Sequence, residues 1–178
     1  MRELRREGVT LELTTGNIVE QDEFEAVVNA ANARLRTGGG VAGAIHRAAG
    51  PGLEEEARPL APIEPGEAVI TSGHSLPNSH VIHCLGPVYG RDEPSDELLA
   101  SCYREALRLA EENGLESVGF PALSTGAFGY PMEEAARVAL KTILEEIPGL
   151  SDVARIRFIL YDRDALDTHV RVLEDLEG

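Results

Sequence analysis

One stretch of the sequence, residues 27–50, joins three patterns that follow one another directly. It begins as an apolar run typical of a strand, passes through a polar turn with two asparagines, crosses three consecutive glycines and becomes helical: V-V-N-A-A-N-A-R-L-R-T-G-G-G-V-A-G-A-I-H-R-A-A-G. Glycine has no Cβ, so the glycines let the main chain approach a ligand closely. The N–H groups at a helix start are unpaired and lie at the positive end of the helix dipole. The stretch therefore predicts a strand, a loop and a helix start that suit a phosphate group.

The same stretch has a plainer interpretation, in which the glycines are only a flexible connection. The flanking residues favour a ligand site. Asn29 and Asn32 lie at the end of the predicted strand, where α/β sheets bind ligands, and an amide both donates and accepts hydrogen bonds to sugar hydroxyls. Because asparagine is also an ordinary turn residue, we expect one of the two to be structural.

A second glycine-bearing loop follows a later strand. Residues 117–123 have the pattern of a strand and lead into S-T-G-A-F-G at 124–129, before a long helix. The glycines permit close main-chain approach, and Ser124 and Thr125 bring hydroxyls. A serine nucleophile is disfavoured, because a nucleophile elbow needs G-x-S-x-G and position 122 is alanine. Two such loops, each leading into a helix, predict a clamp for two phosphates.

Three motifs carry a family resemblance. N-A-A-N at 29–32, G-G-G-V-A-G-A-I at 38–45 and L-S-T-G-A-F-G at 123–129 resemble, in this order, the motifs of the macro domain family, and the resemblance runs from about residue 11 to residue 172. It implies a three-layer α/β/α sandwich with a central mixed sheet of about six strands, and we expect residues 1–178 to form a single domain. The implied ligand is ADP-ribose, free or attached to a protein, in a cleft over the strand ends. Many members also hydrolyse ADP-ribose esters, and no cofactor or metal is expected.

Carried over residue by residue, the resemblance implies a role for each part of this cleft. Asn17, Ile18 and Tyr161 would face adenine, and Asn32 would hydrogen-bond the distal ribose, with Phe128 packed beside that sugar. The diphosphate would lie among the two loops: Gly38, Gly39, Gly40, Val41, Ala42 and Gly43, and Ser124, Thr125, Gly126, Ala127 and Phe128.

Two positions depart from the family pattern. Asn17 stands where most relatives have an aspartate that accepts from the adenine amino group. Because a neutral acceptor lacks charge assistance, we expect weaker adenine recognition, or support from another group such as a main-chain amide. Ala42 stands where the MacroD-like branch has an aspartate proposed to orient or activate water. V-A-G-A at 41–44 resembles instead the viral and archaeal branches. Some of their members hydrolyse ADP-ribose esters without that aspartate, with a ligand phosphate and main-chain groups positioning the water.

The expected chemistry follows from these departures. No His, Glu or Cys in either loop offers a general base, so catalysis would depend on positioning and on the substrate itself. The expected reaction is hydrolysis of mono-ADP-ribose esters on Asp or Glu of proteins, with O-acetyl-ADP-ribose as a further substrate and with Asn32 and Gly40 as catalytic residues.

Two alternatives stay open. One is a module that binds ADP-ribose without hydrolysing it. The other is an NAD-dependent dehydrogenase, because Gly38-x-Gly40-x-x-Gly43 fits the dinucleotide fingerprint. That fingerprint normally follows its strand directly, whereas residues 30–37 intervene here.

Composition and spacing disfavour several classes of partner. The formal net charge of −15, with a pI near 4.7, opposes binding of long polyanions such as DNA. No apolar run reaches the roughly 18 residues of a membrane span, and M-R-E-L-R-R-E-G lacks a secretory signal, so we expect a cytoplasmic monomer. Cys84 and Cys102 are interpreted as reduced core residues. His80 and His83 are interpreted as strand residues, since they point to opposite faces and no second ligand pair follows.

Hydrophobic periodicity and turn residues predict the order of the elements. Strands are predicted at 9–13, 25–29, 67–71, 80–85, 117–123 and 154–160. Helices are predicted at 41–49, 52–58, 96–113, 131–147 and 164–176. Ser95 is the expected N-cap of the third helix. In the first helix, the residues expected to pack inward are Val41, Ala44, Ile45 and Ala48.

Overall fold

Alternating and apolar runs of the sequence form the strands of one mixed sheet, and the amphipathic segments between them form helices on both of its faces. The computed structural model describes residues Met1–Gly178. The strands are β1 (Arg2–Arg6), β2 (Val9–Thr15), β3 (Ala26–Ala30), β4 (Ala68–Ser72), β5 (His80–Cys84), β6 (Ser117–Phe120) and β7 (Arg155–Leu160). The helices are α1 (Gly40–Ala49), α2 (Gly52–Ala57), α3 (Ser95–Glu112), α4 (Met132–Glu146) and α5 (Arg163–Glu177). The predicted three-layer α/β/α sandwich with a mixed sheet is confirmed.

The order of the strands fixes where the ends of the strands meet. The sheet runs β1-β2-β7-β6-β3-β5-β4. The five inner strands are mutually parallel, and only the two edge strands, β1 and β4, pair antiparallel. Because parallel strands end on the same side, the segments that follow β2, β7, β6, β3 and β5 lie side by side along one edge of the sheet. We call this edge the carboxyl edge.

The sheet has seven strands, one more than the six that were predicted. The additional strand is β1, which pairs antiparallel with β2 and places Leu4 opposite Leu11. The connection is a two-residue turn in which Glu7 and Gly8 both have positive φ, 51° and 82°. Both central residues of a type I′ hairpin have positive φ. The strand escapes a hydrophobic pattern search because three of its five residues are arginines on an exposed edge.

Two hydrophobic cores lie on opposite faces of the sheet. The larger core, beneath α3, α4 and α5, contains a cluster of Tyr103, Phe120 and Phe158, with ring centroids 5.3–5.8 Å apart. The smaller core lies beneath α1 and α2. Cys84 and Cys102 are buried free thiols in the larger core, as predicted. None of the helices combines the length and the hydropathy that a bilayer span needs.

The buried face of α1 differs from the prediction. The expected face was Val41, Ala44, Ile45 and Ala48, but apart from Ile45 these residues are only half-buried. The side chains that are buried are Ala42, Ile45, His46 and Ala49. These four residues keep the i, i+3, i+4, i+7 spacing of a helix face but begin one residue later. The prediction was wrong because it left His46, which is buried, out of the inward face.

The helix bounds agree with the prediction to within one residue at each end. The predicted cap of α3 is wrong, because Pro94 is the N-cap and Ser95 is already helical. The Ser95 hydroxyl instead donates to the carbonyl of Asp92 at 2.6 Å. Asp162 caps α5 by accepting a hydrogen bond from the N–H of Ala165 at 2.9 Å.

Candidate functional site

The carboxyl edge brings together every residue that the sequence proposed for a ligand site. Asn17 and Ile18 follow β2, and Tyr161 follows β7. Next along the edge come the connection after β6, residues 121–131, and the connection after β3, residues 31–39. We call the 31–39 connection, together with the adjoining Gly40 at the start of α1, the first loop, and the 121–131 connection the second loop. The segment after β5 completes the row.

Hydrogen bonds hold the first loop at Asn32 and at Thr37. The Asn32 side chain accepts a hydrogen bond from the N–H of Arg36 at 3.0 Å and donates one to the Arg36 carbonyl at 2.9 Å. The N–H of Thr37 donates to Glu54 Oε1 at 2.8 Å, and this bond is the main cause of the lowered pKa of Glu54. An amide side chain has two donor hydrogens and four sites in all, so Asn32 retains a donor and an acceptor for a ligand.

The three glycines of the first loop present their main chain to solvent. Gly38, Gly39 and Gly40 are exposed, and their N–H groups take no part in the main-chain hydrogen bonding of the protein. The start of α1 has no side-chain cap and no acidic residue in its first turn. A Cβ at Gly43 would lie 2.5 Å from the carbonyl oxygen of Gly38, so the loop folds closely onto the helix. This helix start therefore remains free to receive an anion.

Ala42, which stands where the MacroD-like branch has an aspartate, lies in the first turn of α1. Ala42 is 4 % exposed, and Val41 is half-buried. Neither side chain carries a polar atom, so both residues can contribute only main-chain groups to a ligand.

The second loop also offers main-chain donors. The N–H groups of Gly126, Ala127 and Phe128 take no part in the main-chain hydrogen bonding. The Ser124 hydroxyl donates to the carbonyl of Pro87 at 2.8 Å, and the Thr125 hydroxyl donates to that of Ala122 at 2.8 Å. Both hydroxyls are thus engaged in holding the loop.

The helix that follows the second loop is unlike α1. Its first turn contains Glu133 and Glu134, which compensate the positive end of the helix dipole. An anion at the second loop would therefore interact with the loop's own N–H groups rather than with the start of α4.

The segment after β5 was missed by the sequence reasoning. Together with Asn32 and Phe128 it lines a cleft of about 320 Å³. The N–H of Tyr89 donates to the carbonyl of Phe128 at 2.9 Å, and Gly86 lies so close to Ser124 that a Cβ would overlap the serine side chain. Leu85-Gly86-Pro87, directly after a buried strand, was the available signal.

At the other end of the carboxyl edge, the Asn17 side chain makes a hydrogen bond within the protein. Its Oδ1 accepts from the N–H of Val19 at 3.1 Å, which caps the 3-10 turn Ile18–Glu20. Gln21, also missed from sequence, donates to the Asn17 carbonyl at 2.8 Å and accepts from Arg157 Nη1 at 2.9 Å. The side chain of Tyr161 is 94 % exposed, so one face of its ring is open to a planar ligand.

Asn29 is the structural member of the asparagine pair. It is 1 % exposed, and its side-chain N–H donates to His83 Nδ1 at 3.1 Å. The remaining ring nitrogen, Nε2, then carries the proton and donates to Thr71 Oγ1 at 2.9 Å. Burial lowers the pKa of His83 to about 4. No three His, Cys, Asp or Glu side chains lie close enough together to hold a metal ion.

Comparisons with known proteins agree with this geometry. The family model for the macro domain matches residues 28–139. A macro domain-containing protein of Caldanaerobacter subterraneus subsp. tengcongensis is 41 % identical, over 94 % of this chain and 97 % of that protein.

Solved structures are similar over nearly the whole chain. A mutant of the Oceanobacillus iheyensis macrodomain with ADP-ribose is 35 % identical, with a TM-score of 0.94 over 99 % of this chain and 98 % of that one. The Trypanosoma brucei macrodomain in complex with ADP-ribose is 37 % identical, with a TM-score of 0.83 over 94 % of this chain and 69 % of that one. With its fold, its two glycine-bearing loops and these relatives in agreement, the chain belongs to the macro domain family.

Proposed function

We propose that this protein binds ADP-ribose along the carboxyl edge of its sheet and hydrolyses ADP-ribose esters formed on Asp or Glu of proteins. The order of the segments along that edge is the observation that carries the proposal. Asn17 and Tyr161 lie at one end and the glycines of the two loops in the middle, while Asn32 and Phe128 of the same loops line the cleft beside the segment that follows β5. This order matches the order of adenine, diphosphate and distal ribose along the ligand. Two structural relatives are described with ADP-ribose.

The diphosphate would be held by main-chain groups rather than by cations. The two loops together offer six N–H groups that are not used in main-chain hydrogen bonds, from Gly38, Gly39, Gly40, Gly126, Ala127 and Phe128. Charged acceptors strengthen such bonds about twofold over neutral ones. A net charge of −15 opposes long polyanions but not a small one held by short-range donors.

Hydrolysis would depend on the substrate for its proton acceptor. A water oxygen would form a bond to C1″ of the distal ribose while the bond from C1″ to the acceptor oxygen breaks, and the electron pair would leave with the carboxylate of the Asp or Glu. A ligand phosphate oxygen would take the proton from the water. Asn32 would hold the ribose, and main-chain groups at Gly40 would position the water.

The dehydrogenase alternative has less support. Gly40 and Gly43 of the apparent fingerprint are helical residues, and the first loop separates them from β3. The strand order β1-β2-β7-β6-β3-β5-β4 also differs from the 3-2-1-4-5-6 order of a dinucleotide-binding domain.

Calorimetric titration with ADP-ribose, and with NAD for comparison, tests the binding proposal. We expect ADP-ribose to bind more tightly than NAD, and Gly39→Glu to abolish binding through charge repulsion and obstruction of the first loop. A Cβ added at Gly39 would meet no atom within 4 Å, and Gly39 is exposed, so this variant should fold normally. Gly149→Glu is the matched control, because Gly149 is also spatially open but lies away from the carboxyl edge. Equal affinity of both variants would remove the first loop from the binding site.

Single-turnover release of ADP-ribose from a Glu-modified protein tests the hydrolysis proposal. We expect release above the background rate, and a loss of release in Asn32→Ala that exceeds its loss of affinity for ADP-ribose. Tight binding without release would reduce the protein to a module that only recognises ADP-ribose.

A further inference from the structure

The cleft of about 320 Å³ extends beyond the residues needed for the distal ribose. Asn32 and Phe128 form one end of it. The rest is lined by the proline-rich connection before β4 and by the segment after β5, and its apolar residues are Pro62, Ile63, Pro65, Leu85 and Val88. One water in the liquid occupies about 30 Å³, so the cleft has space for roughly ten waters. Because Asn32 and Phe128 form only part of the lining, a group attached to the distal ribose would lie along the remaining walls.

The walls of the cleft are tied to the loops that would hold the nucleotide. The N–H of Ile63 donates to the carbonyl of Ala33 at 3.0 Å, and the N–H of Gly66 donates to that of Leu85 at 2.8 Å. On the opposite side the N–H of Tyr89 donates to the carbonyl of Phe128 at 2.9 Å. A ligand in the cleft would therefore meet walls that are already formed.

One cation, Arg91, lines the cleft together with two carboxylates, Glu64 and Asp92. The Arg91 side chain is 74 % exposed, and its Nε lies 3.6 Å from Asp92 Oδ1, which is longer than a hydrogen bond. The other oxygen of Asp92 is engaged, since Oδ2 accepts from the N–H of Val88 at 2.8 Å. Arg91 is thus paired with Asp92 in charge but not by a hydrogen bond, so its N–H groups can donate to a carboxylate on a ligand that occupies the cleft.

We propose that this cleft binds the segment of the modified protein that flanks the ADP-ribosylated residue, with apolar contacts along its walls and Arg91 near a neighbouring acidic side chain. The inference rests on the proposed function, because the cleft begins where C1″ of the distal ribose would carry its acceptor. It assigns protein-bound ADP-ribose, rather than a small ester, as the preferred ligand.

The test compares free ADP-ribose with a short peptide that carries ADP-ribose through a hydrolysis-resistant amide link and has a glutamate next to the linkage. We expect the peptide conjugate to bind about tenfold more tightly than free ADP-ribose, both measured by calorimetry. Glu64→Trp places a large side chain at an exposed position of the cleft wall, outside both glycine-bearing loops, and should remove this advantage while the affinity for free ADP-ribose changes less than about twofold.

Two further variants keep the test decisive. Glu55→Trp removes the same charge and adds the same side chain at an exposed position of α2, which does not line the cleft, and should preserve the advantage of the conjugate. Arg91→Glu, at an exposed position, should weaken binding of the conjugate about threefold or more without changing that of free ADP-ribose. Equal affinities for conjugate and free ADP-ribose in the unsubstituted protein would overturn the inference alone. Failure of free ADP-ribose to bind would instead reject the proposed function, and this inference with it.

Discussion

Individual residues of the candidate site act mainly through their main-chain geometry. Gly40 has a φ of 57° and Ser124 a φ of 68°, so each loop contains a left-handed residue beside its exposed amides. Such a conformation is costly for a residue with a side chain, by about 1–2 kcal/mol. At Ser124 a buried hydroxyl bond to Pro87 helps to hold it. Both loops are therefore shaped before a ligand arrives, which lowers the entropic cost of binding.

At the residue scale, Gly43→Ala should weaken ADP-ribose binding about tenfold, because the new Cβ would lie 2.5 Å from the Gly38 carbonyl and displace the first loop. Helix propensity alone favours alanine by about 1 kcal/mol, so the thermal stability should change little while affinity falls. Calorimetry and thermal unfolding of the same variant separate these effects. Gly39→Ala, where the added Cβ meets nothing within 4 Å, should bind nearly normally. An unchanged affinity of Gly43→Ala would show that the loop tolerates the displacement.

The elements show where sequence patterns were sufficient and where they were not. The glycine-bearing loops and the helices around them were predicted because periodicity and turn residues mark them locally. Strand β1 was missed because its pairing with β2, rather than its own arginine-rich sequence, makes it a strand. Glu54 was missed because it accepts from the main chain of Thr37 in another segment, and Gln21 because it joins the Asn17 carbonyl to Arg157 of a distant strand. Such contacts leave no trace in local spacing.

At the element scale, α2 should control the first loop through Glu54. Glu54→Ala removes the acceptor for the Thr37 N–H, and we expect ADP-ribose affinity to fall about fivefold or more although removal of a negative charge favours an anionic ligand. Glu54→Gln keeps an oxygen acceptor and should bind within about twofold of the unsubstituted protein. Glu55→Ala, on the exposed side of the same helix, is the control for charge and helix propensity. Equal affinities of the Ala and Gln variants at position 54 would exclude a positioning role.

The whole molecule combines an acidic surface with a site built from main-chain donors. The order of its seven strands was not readable from residue patterns, since strand order depends on long-range pairing. The resemblance to the family implied a mixed sheet of about six strands but not their order. The same order places the Asn29–His83–Thr71 network in the sheet directly beneath the first loop. Because His83 is buried between the central strands in this network, protonating it would oppose folding of the whole domain.

At this scale we predict that the free energy of unfolding falls as the pH is lowered from about 7.5 to about 5. Burial lowers the pKa of His83 from 6.5 to about 4, so the unfolded state binds a proton in this range and the folded state does not. This difference makes stability rise with pH, and His83 alone should contribute about 2 kcal/mol over the range. Burial also lowers the pKa of His46 and of His169, which act in the same direction.

Urea denaturation at several pH values checks this prediction. His83→Gln should flatten the dependence by that amount, whatever its effect on stability near pH 7.5. Above pH 5 the change in stability comes mainly from the histidines, because carboxylates with a lowered pKa, such as Glu56, still carry their charge there. Stability curves that run parallel for the two proteins would mean that His83 titrates alike in the folded and unfolded states. The His83 side chain would then have to be accessible to water rather than buried between Asn29 and Thr71.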